Sequence, residues 1–218
     1  MLDWAIYIIA ILAFFLTHSI PVRPGNKAQI VAHLGARGFT LGYSALSIAA
    51  LTLVIIAANR APYVELWPWA PWQNYVTLIA MAGAVLIASL AIGRPNPLSF
   101  GGGNNDRFDP QAAGIIGWAR HPLLAALLLW SLGHLIPNGN LAHLILFGLF
   151  ASFSFFGKRI IDKRNQRLLG LEKWQHLSHT QRDIAITRTG LIRVCIGIAI
   201  YLLLLHVHSA IIGVTPLP

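Results

Sequence analysis

Three histidines, His121, His134 and His143, lie within a nearly unbroken apolar stretch between Trp118 and Phe150. Ionisable side chains at membrane depth are costly, so they face a protein interior and mark a site. Imidazole titrates near neutrality and ligates metals through either ring nitrogen. His134 carries the strongest signal, because it sits about 13 residues into its apolar segment, roughly 20 Å from the segment's start. Trp130 precedes it by four residues and shares its helical face. Gly133 beside it would let another helix, or a flat ligand, come close. His18, flanked by Phe14, Phe15 and Leu16, is a second intramembrane imidazole.

The remaining histidines read more plainly. His121 stands between Arg120 and Pro122 at a helix start, where proline suits the first turn, and can simply meet headgroups. His143, His206 and His208 read as interfacial packing, and His176 and His179 as solvated loop residues. By depth, His18 and His121 fall in one layer and His134, His143, His206 and His208 in another. Neutral imidazoles converging from different helices are the usual means of holding haem or a metal in a helix bundle. The carboxylates Asp3, Glu65, Asp106, Asp109, Asp162, Glu172 and Asp183 all read as lying at ends or in loops. That leaves no intramembrane acid–base pair and argues against a carboxylate proton pump. There is no glycine-centred nucleophilic serine. The Gly101-Gly102-Gly103-Asn104-Asn105-Asp106 run lacks phosphate-loop spacing and reads as a flexible connector. A lone Cys195 allows no intramolecular disulfide.

The elements that must position these side chains follow from composition. Of 218 residues, 56% are hydrophobic and only 11% charged, against about 25% charged in a soluble domain. A bilayer must therefore act as solvent. The expected fold is an all-α, polytopic membrane bundle of about six transmembrane helices forming a single domain over residues 1–218. Its spans are 2–20, 39–58, 75–93, 118–136, 141–156 and 191–214, judged against the roughly 20 residues that a crossing needs. The fourth and fifth are short and joined by Pro137-Asn138-Gly139-Asn140, which makes a tight helical hairpin. The first span is not expected to be a cleaved signal peptide, because its basic residues follow the apolar run.

Charge then sorts the loops. With six spans, one side carries only Arg60 and the other carries all fifteen remaining Lys and Arg residues. Basic loops stay cytoplasmic, so both termini are expected to face out, on the periplasmic side if the membrane is a bacterial inner one. The net charge of +9 is thereby membrane-orienting, with no nucleic-acid partner implied. Trp67-Pro68-Trp69-Ala70-Pro71-Trp72 reads as an aromatic belt at the headgroups. The loop 158–188 reads as helical in its first half, with Ile161, Leu168, Leu171 and Trp174 seated along the inner leaflet. Around Gly35-Ala36-Arg37-Gly38-Phe39 the chain turns into its second span.

Several of these segments together resemble the NnrU family of bacterial inner-membrane proteins. They are His18-Ser19, Gly35-Ala36-Arg37-Gly38-Phe39, Arg120-His121-Pro122, Trp130-x-x-Gly133-His134-Leu135, Asn138-Gly139, Leu146-Phe147-Gly148, Asp162 and Gly170-x-x-x-Trp174 with Thr180. The resemblance implies a multi-pass membrane protein connected with nitrogen-oxide respiration (denitrification), working among respiratory membrane proteins and lipid. One branch of that family, the plant 15-cis-ζ-carotene isomerase, holds b-type haem. Likeness to it implies His18 and His134 as axial ligands, with Arg120, His121 and Trp130 around the cofactor. Ser131 stands where that branch has a cysteine ligand, so no thiolate ligation is implied and a carotenoid-isomerase activity loses support. By simple depth His18 and His134 fall in different layers, and His134 with His206 or His208 is the alternative pair. Arg120-His121-Pro122 followed by a basic tail also resembles isoprenylcysteine-type S-adenosylmethionine-dependent methyltransferases. There the tail carries a paired glutamate, whereas only Glu172 is present here.

Overall fold

Apolar runs of this length can satisfy their backbone hydrogen bonds in hydrocarbon only as helices. A computed structural model describes residues 2–183 and 185–218. Eight α-helices follow in order: α1 (Leu2–Ser19), α2 (Pro24–Arg60), α3 (Pro71–Ala91), α4 (Ile115–Trp118), α5 (Pro122–Leu135), α6 (Leu141–Leu169), α7 (Leu171–Ser178) and α8 (Arg188–Ile212). The described residues form no β-strand, only one isolated bridge between Glu65 and Asn140. Five helices, α1, α2, α3, α6 and α8, are long and apolar enough to cross a membrane. Many of their large side chains are exposed, among them Ile79, Leu41 and Ile211, as lipid-facing surfaces require.

The expected count of six meets one correction. The fourth expected span, 118–136, is shortened to the 14-residue α5, because the chain is non-helical over Ala119-Arg120-His121 and Pro122 suits only the first turn of a helix. Conversely, the fifth expected span, 141–156, is the more robust of the two, since α6 runs unbroken to Leu169. The "loop" from Lys158 is therefore the continuation of that helix rather than a separate surface segment.

The chain divides into two compact units. The first comprises residues 1–66 and 140–146, the second residues 67–139 and 147–218. In the first unit α1 packs on α2, and Tyr7, fully buried, donates to the Ala142 carbonyl at 2.8 Å. Inside α2, Gly35 adopts φ +71 and ψ 167, a left-handed conformation natural to glycine. Lys27 nevertheless lies over the Phe39 ring, 5.4 Å from its centroid. Twelve residues of straight helix would separate them by about 18 Å, so the chain bends sharply at Gly35. The expected turn is present, but helix already precedes it from Pro24.

The second unit is organised around α3. Thr77 donates to the Gly133 carbonyl at 2.7 Å, and Gly83 faces Leu129, so α5 runs antiparallel to α3. Gly197 lies against Leu86 and Ser89, and Tyr201 donates to the Leu78 carbonyl at 3.1 Å, so α8 is antiparallel to α3 as well. Arg193 caps the C-terminal carbonyls of α3, reaching Ser89 O at 3.0 Å and Ile92 O at 2.7 Å, where a cation suits the helix dipole. At the other end Trp67 donates to the Ile136 carbonyl at 2.9 Å, and Asn74 to the Leu217 carbonyl at 3.0 Å. The 137–140 turn and the C-terminal residues thus share one end of α3, while Arg120 and Arg193 share the other. Short as it is, α5 connects the two ends of a spanning helix.

Gly133 has no spare room: an added Cβ would lie 2.8 Å from the Ala80 Cβ. Gly133→Leu is therefore expected to force α3 and α5 apart and cost about 1–3 kcal/mol. Unfolding of the purified protein in detergent measures this, and a variant as stable as the parent contradicts the close packing.

Candidate functional site

Two separate groups of polar side chains lie at opposite ends of α5. At its N-terminal end, the 94–121 segment folds tightly rather than serving as a flexible connector. Gly93 N–H donates to Gly101 O at 2.8 Å and Gly103 N–H to Arg94 O at 3.2 Å. A Cβ on Gly102 would fall 2.9 Å from the Asn96 backbone, which explains the glycine. Asn96, 2% exposed, donates to the Arg120 carbonyl at 3.1 Å and accepts from Leu98 N–H. Asn165 of α6 donates to the Leu98 carbonyl.

These contacts present Arg120 and His121 to Asp162 on α6. Arg120 Nη1 lies 2.9 Å from Asp162 Oδ2 and His121 Nε2 lies 3.1 Å from Asp162 Oδ1. Ser99 Oγ lies 3.0 Å from His121 Nδ1. A carboxylate oxygen accepts, so Nε2 carries the proton in the neutral ring and Nδ1 accepts from the serine hydroxyl. Both nitrogens are committed. Arg120 also stacks over the Trp174 ring at 4.9 Å, a cation–π contact. His121 is buried against protein rather than open to headgroups. Burial pulls its pKa below the ordinary value, with Asp162 opposing through charge and hydrogen bond, and Arg120 and Lys158 adding to the depression.

At the other end of α5, His134 Nδ1 lies 2.9 Å from the Trp130 carbonyl. A carbonyl can only accept, so Nδ1 carries the proton in the neutral ring and Nε2 keeps its lone pair. The ring stacks on Phe147 (centroids 5.4 Å apart, 30° between planes) and tilts against Trp130 at 5.4 Å. Trp130 is itself packed edge-on against Phe147 and Phe150. Ser131, fully buried, donates to the Leu127 carbonyl at 2.7 Å. His208 on α8 repeats the same pattern, its Nδ1 lying 2.8 Å from the Val214 carbonyl. His206 is exposed.

In the first unit His18 does likewise. Its Nδ1 lies 2.9 Å from the Phe14 carbonyl, and its ring stacks on Phe14 at 4.0 Å and meets Tyr43 edge-on at 5.9 Å. His143 is different, since Asn140 and Asn59 side chains engage both its nitrogens at 2.8 and 3.1 Å.

Of the residues expected around one cofactor, the structure brings Trp130 and His134 together. It places Arg120 and His121 at the far end of α5, about 13 residues or roughly 20 Å away. His18 belongs to the other compact unit. Sequence reasoning quoted Asp162 only as a terminal or loop carboxylate and as part of the family pattern, without its pairing, and missed Ser99 and Asn96. The signal for Asp162 was present in Ile161, Leu168 and the absence of proline from Phe156 to Leu169, which continues helical spacing through the charged region. Among the described residues no group of three or more His, Cys, Asp or Glu could hold a metal ion.

A family model described as NnrU protein matches residues 6–216, nearly the whole chain, and the chain belongs to that family. No curated protein and no solved structure matches it.

With the folded pKa of His121 depressed, the unfolded chain binds the proton more tightly, so stability rises with pH and is lost as pH falls below about 6.5. Thermal unfolding of the parent between about pH 5 and 7.5 is expected to show this slope, and His121→Gln to flatten it. Asp162→Asn leaves Arg120 unneutralised and is expected to cost about 1–3 kcal/mol. An identical pH slope in parent and His121→Gln contradicts the assignment.

Proposed function

We propose that this NnrU-family protein is a multi-pass protein of the bacterial inner membrane that holds b-type haem through His134 and acts in nitrogen-oxide (denitrification) metabolism. The observation that carries the reading is the contact of His134 Nδ1 with the Trp130 carbonyl. The Nδ1–H is spent on that carbonyl, which leaves Nε2 as a lone-pair donor. Histidine ligands are normally held this way, with the second nitrogen hydrogen-bonded to fix the ring and raise ligand basicity. Trp130 and Phe147 fix the ring further by packing against it.

His18 has the same free Nε2 and an aromatic setting, and family likeness favours it as the second ligand. His208, in the same unit as His134, offers the same lone pair. His121 and His143 are poor ligands because both of their nitrogens are already engaged. Arg120 and His121 accordingly hold the bundle's end together rather than the cofactor. Bound haem would supply one-electron redox chemistry, with the distal surroundings deciding which small molecules it meets. The link to nitrogen oxides, and to respiratory membrane proteins as partners, is drawn from the family.

An absorption spectrum of the full-length protein, purified in detergent from haem-replete cells, tests the reading. A Soret band is expected, abolished in His134→Ala and retained in His121→Gln. Loss or a shift of the band in His18→Ala or in His208→Ala identifies the second ligand. A haem-replete preparation without a Soret band overturns the proposal.

A further inference from the structure

A cavity of about 510 Å³ opens beside α7, lined by Arg120, Trp174, Gln175, Ser178, Thr180 and Arg182 among others. Its size falls within the roughly 300–1,000 Å³ of small-molecule sites. The wall is built rather than incidental. Gln181 N–H donates to the Pro110 carbonyl at 2.9 Å, α7 packs on the 3-10 turn Pro110–Ala112, and Gly117 leaves no room for a Cβ against the Gln181 carbonyl. The strap from 178 to 182 is thus pinned across the segment that leads into α5.

The chemistry of the lining is one-sided. Two guanidiniums and the imidazole of His179 face the cavity without a lining carboxylate. Asp162 engages Arg120 from α6 through one nitrogen, Nη1, and a guanidinium has five N–H donors. Hydroxyls of Ser178 and Thr180 and the amide of Gln175 add neutral hydrogen-bonding groups. Trp174, stacked under Arg120, has a buried Nε1 with no acceptor among the described residues. Planar arginines beside hydroxyls are suited to bidentate capture of phosphate oxygens.

We propose that this cavity binds a phosphate-bearing anion, with Arg120 and Arg182 as its cationic contacts and Trp174 as its wall. The inference is independent of the haem reading, because the cavity lies at the opposite end of α5 from His134. Two sources share the chemistry, a phospholipid headgroup and a soluble phosphate compound.

The full-length protein in neutral detergent is titrated calorimetrically with a short-chain phosphatidylglycerol and, separately, with inorganic pyrophosphate. Saturable binding of the lipid alone assigns the headgroup, and of pyrophosphate alone a soluble ligand; either supports the site. Arg182→Gln removes a charge-assisted contact at an exposed position and is expected to weaken binding about tenfold or more, without changing the unfolding temperature. Gly117→Val displaces the strap and is expected to weaken it as well. No saturable binding of either probe, or binding unchanged in both variants, overturns the proposal.

Discussion

A carboxylate set against a buried helix start has to be satisfied, and Asp162 meets one cation, Arg120, and the N–H of a neutral imidazole, His121. Its pairing with Arg120 and His121 fixes the register between α5 and α6, because Phe147 reaches His134 and Gly157 faces Leu124 only at that alignment. The same pair explains the tight 94–121 segment. Asn96 and Asn165 hold the backbone that delivers Arg120, and Ser99 takes the second nitrogen of His121. Partly exposed, the ion pair acts chiefly as a positioning device, since such pairs add modest net stability while a broken one leaves a charge poorly solvated.

Hydrogen bonding divides the buried and half-buried histidines into two kinds. His121 and His143 spend both nitrogens on side chains, which makes them structural. His18, His134 and His208 spend only Nδ1, on a main-chain carbonyl, and keep Nε2. For His18 and His134 the carbonyl is four residues earlier in the same helix, so the α-helix itself selects the tautomer. Aromatic rings then set the plane of each imidazole.

Much of this was legible in the residues. Apolar run lengths located the five long spanning helices, and Pro137-Asn138-Gly139-Asn140 marked the hairpin. Two things were not. Helix in the first half of 158–188 was legible, but its continuity with the preceding span was hidden because charge was read as the end of the apolar segment, although solvated turns of helix tolerate Lys and Arg. The packing of 94–121 was hidden because Gly-Gly-Gly-Asn-Asn suggests freedom in isolation. Here glycine is demanded by backbones in close contact, and that depends on partners distant in the chain such as Arg120 and Asn165. The pairing of Asp162 with His121, 41 residues apart, is of the same long-range kind.

The left-handed Gly35 has a consequence for how thick a bilayer the first unit can suit. A straight 37-residue α2 would measure about 55 Å, far more than the roughly 30 Å of hydrocarbon. Breaking the rod at one residue, with Lys27 brought back over Phe39, leaves about 25 residues beyond the bend to match the membrane. The surplus length is disposed of by geometry rather than by steep tilt or local thickening of the lipid. A β-branched residue at position 35 would remove that adjustment and set protein length against membrane thickness.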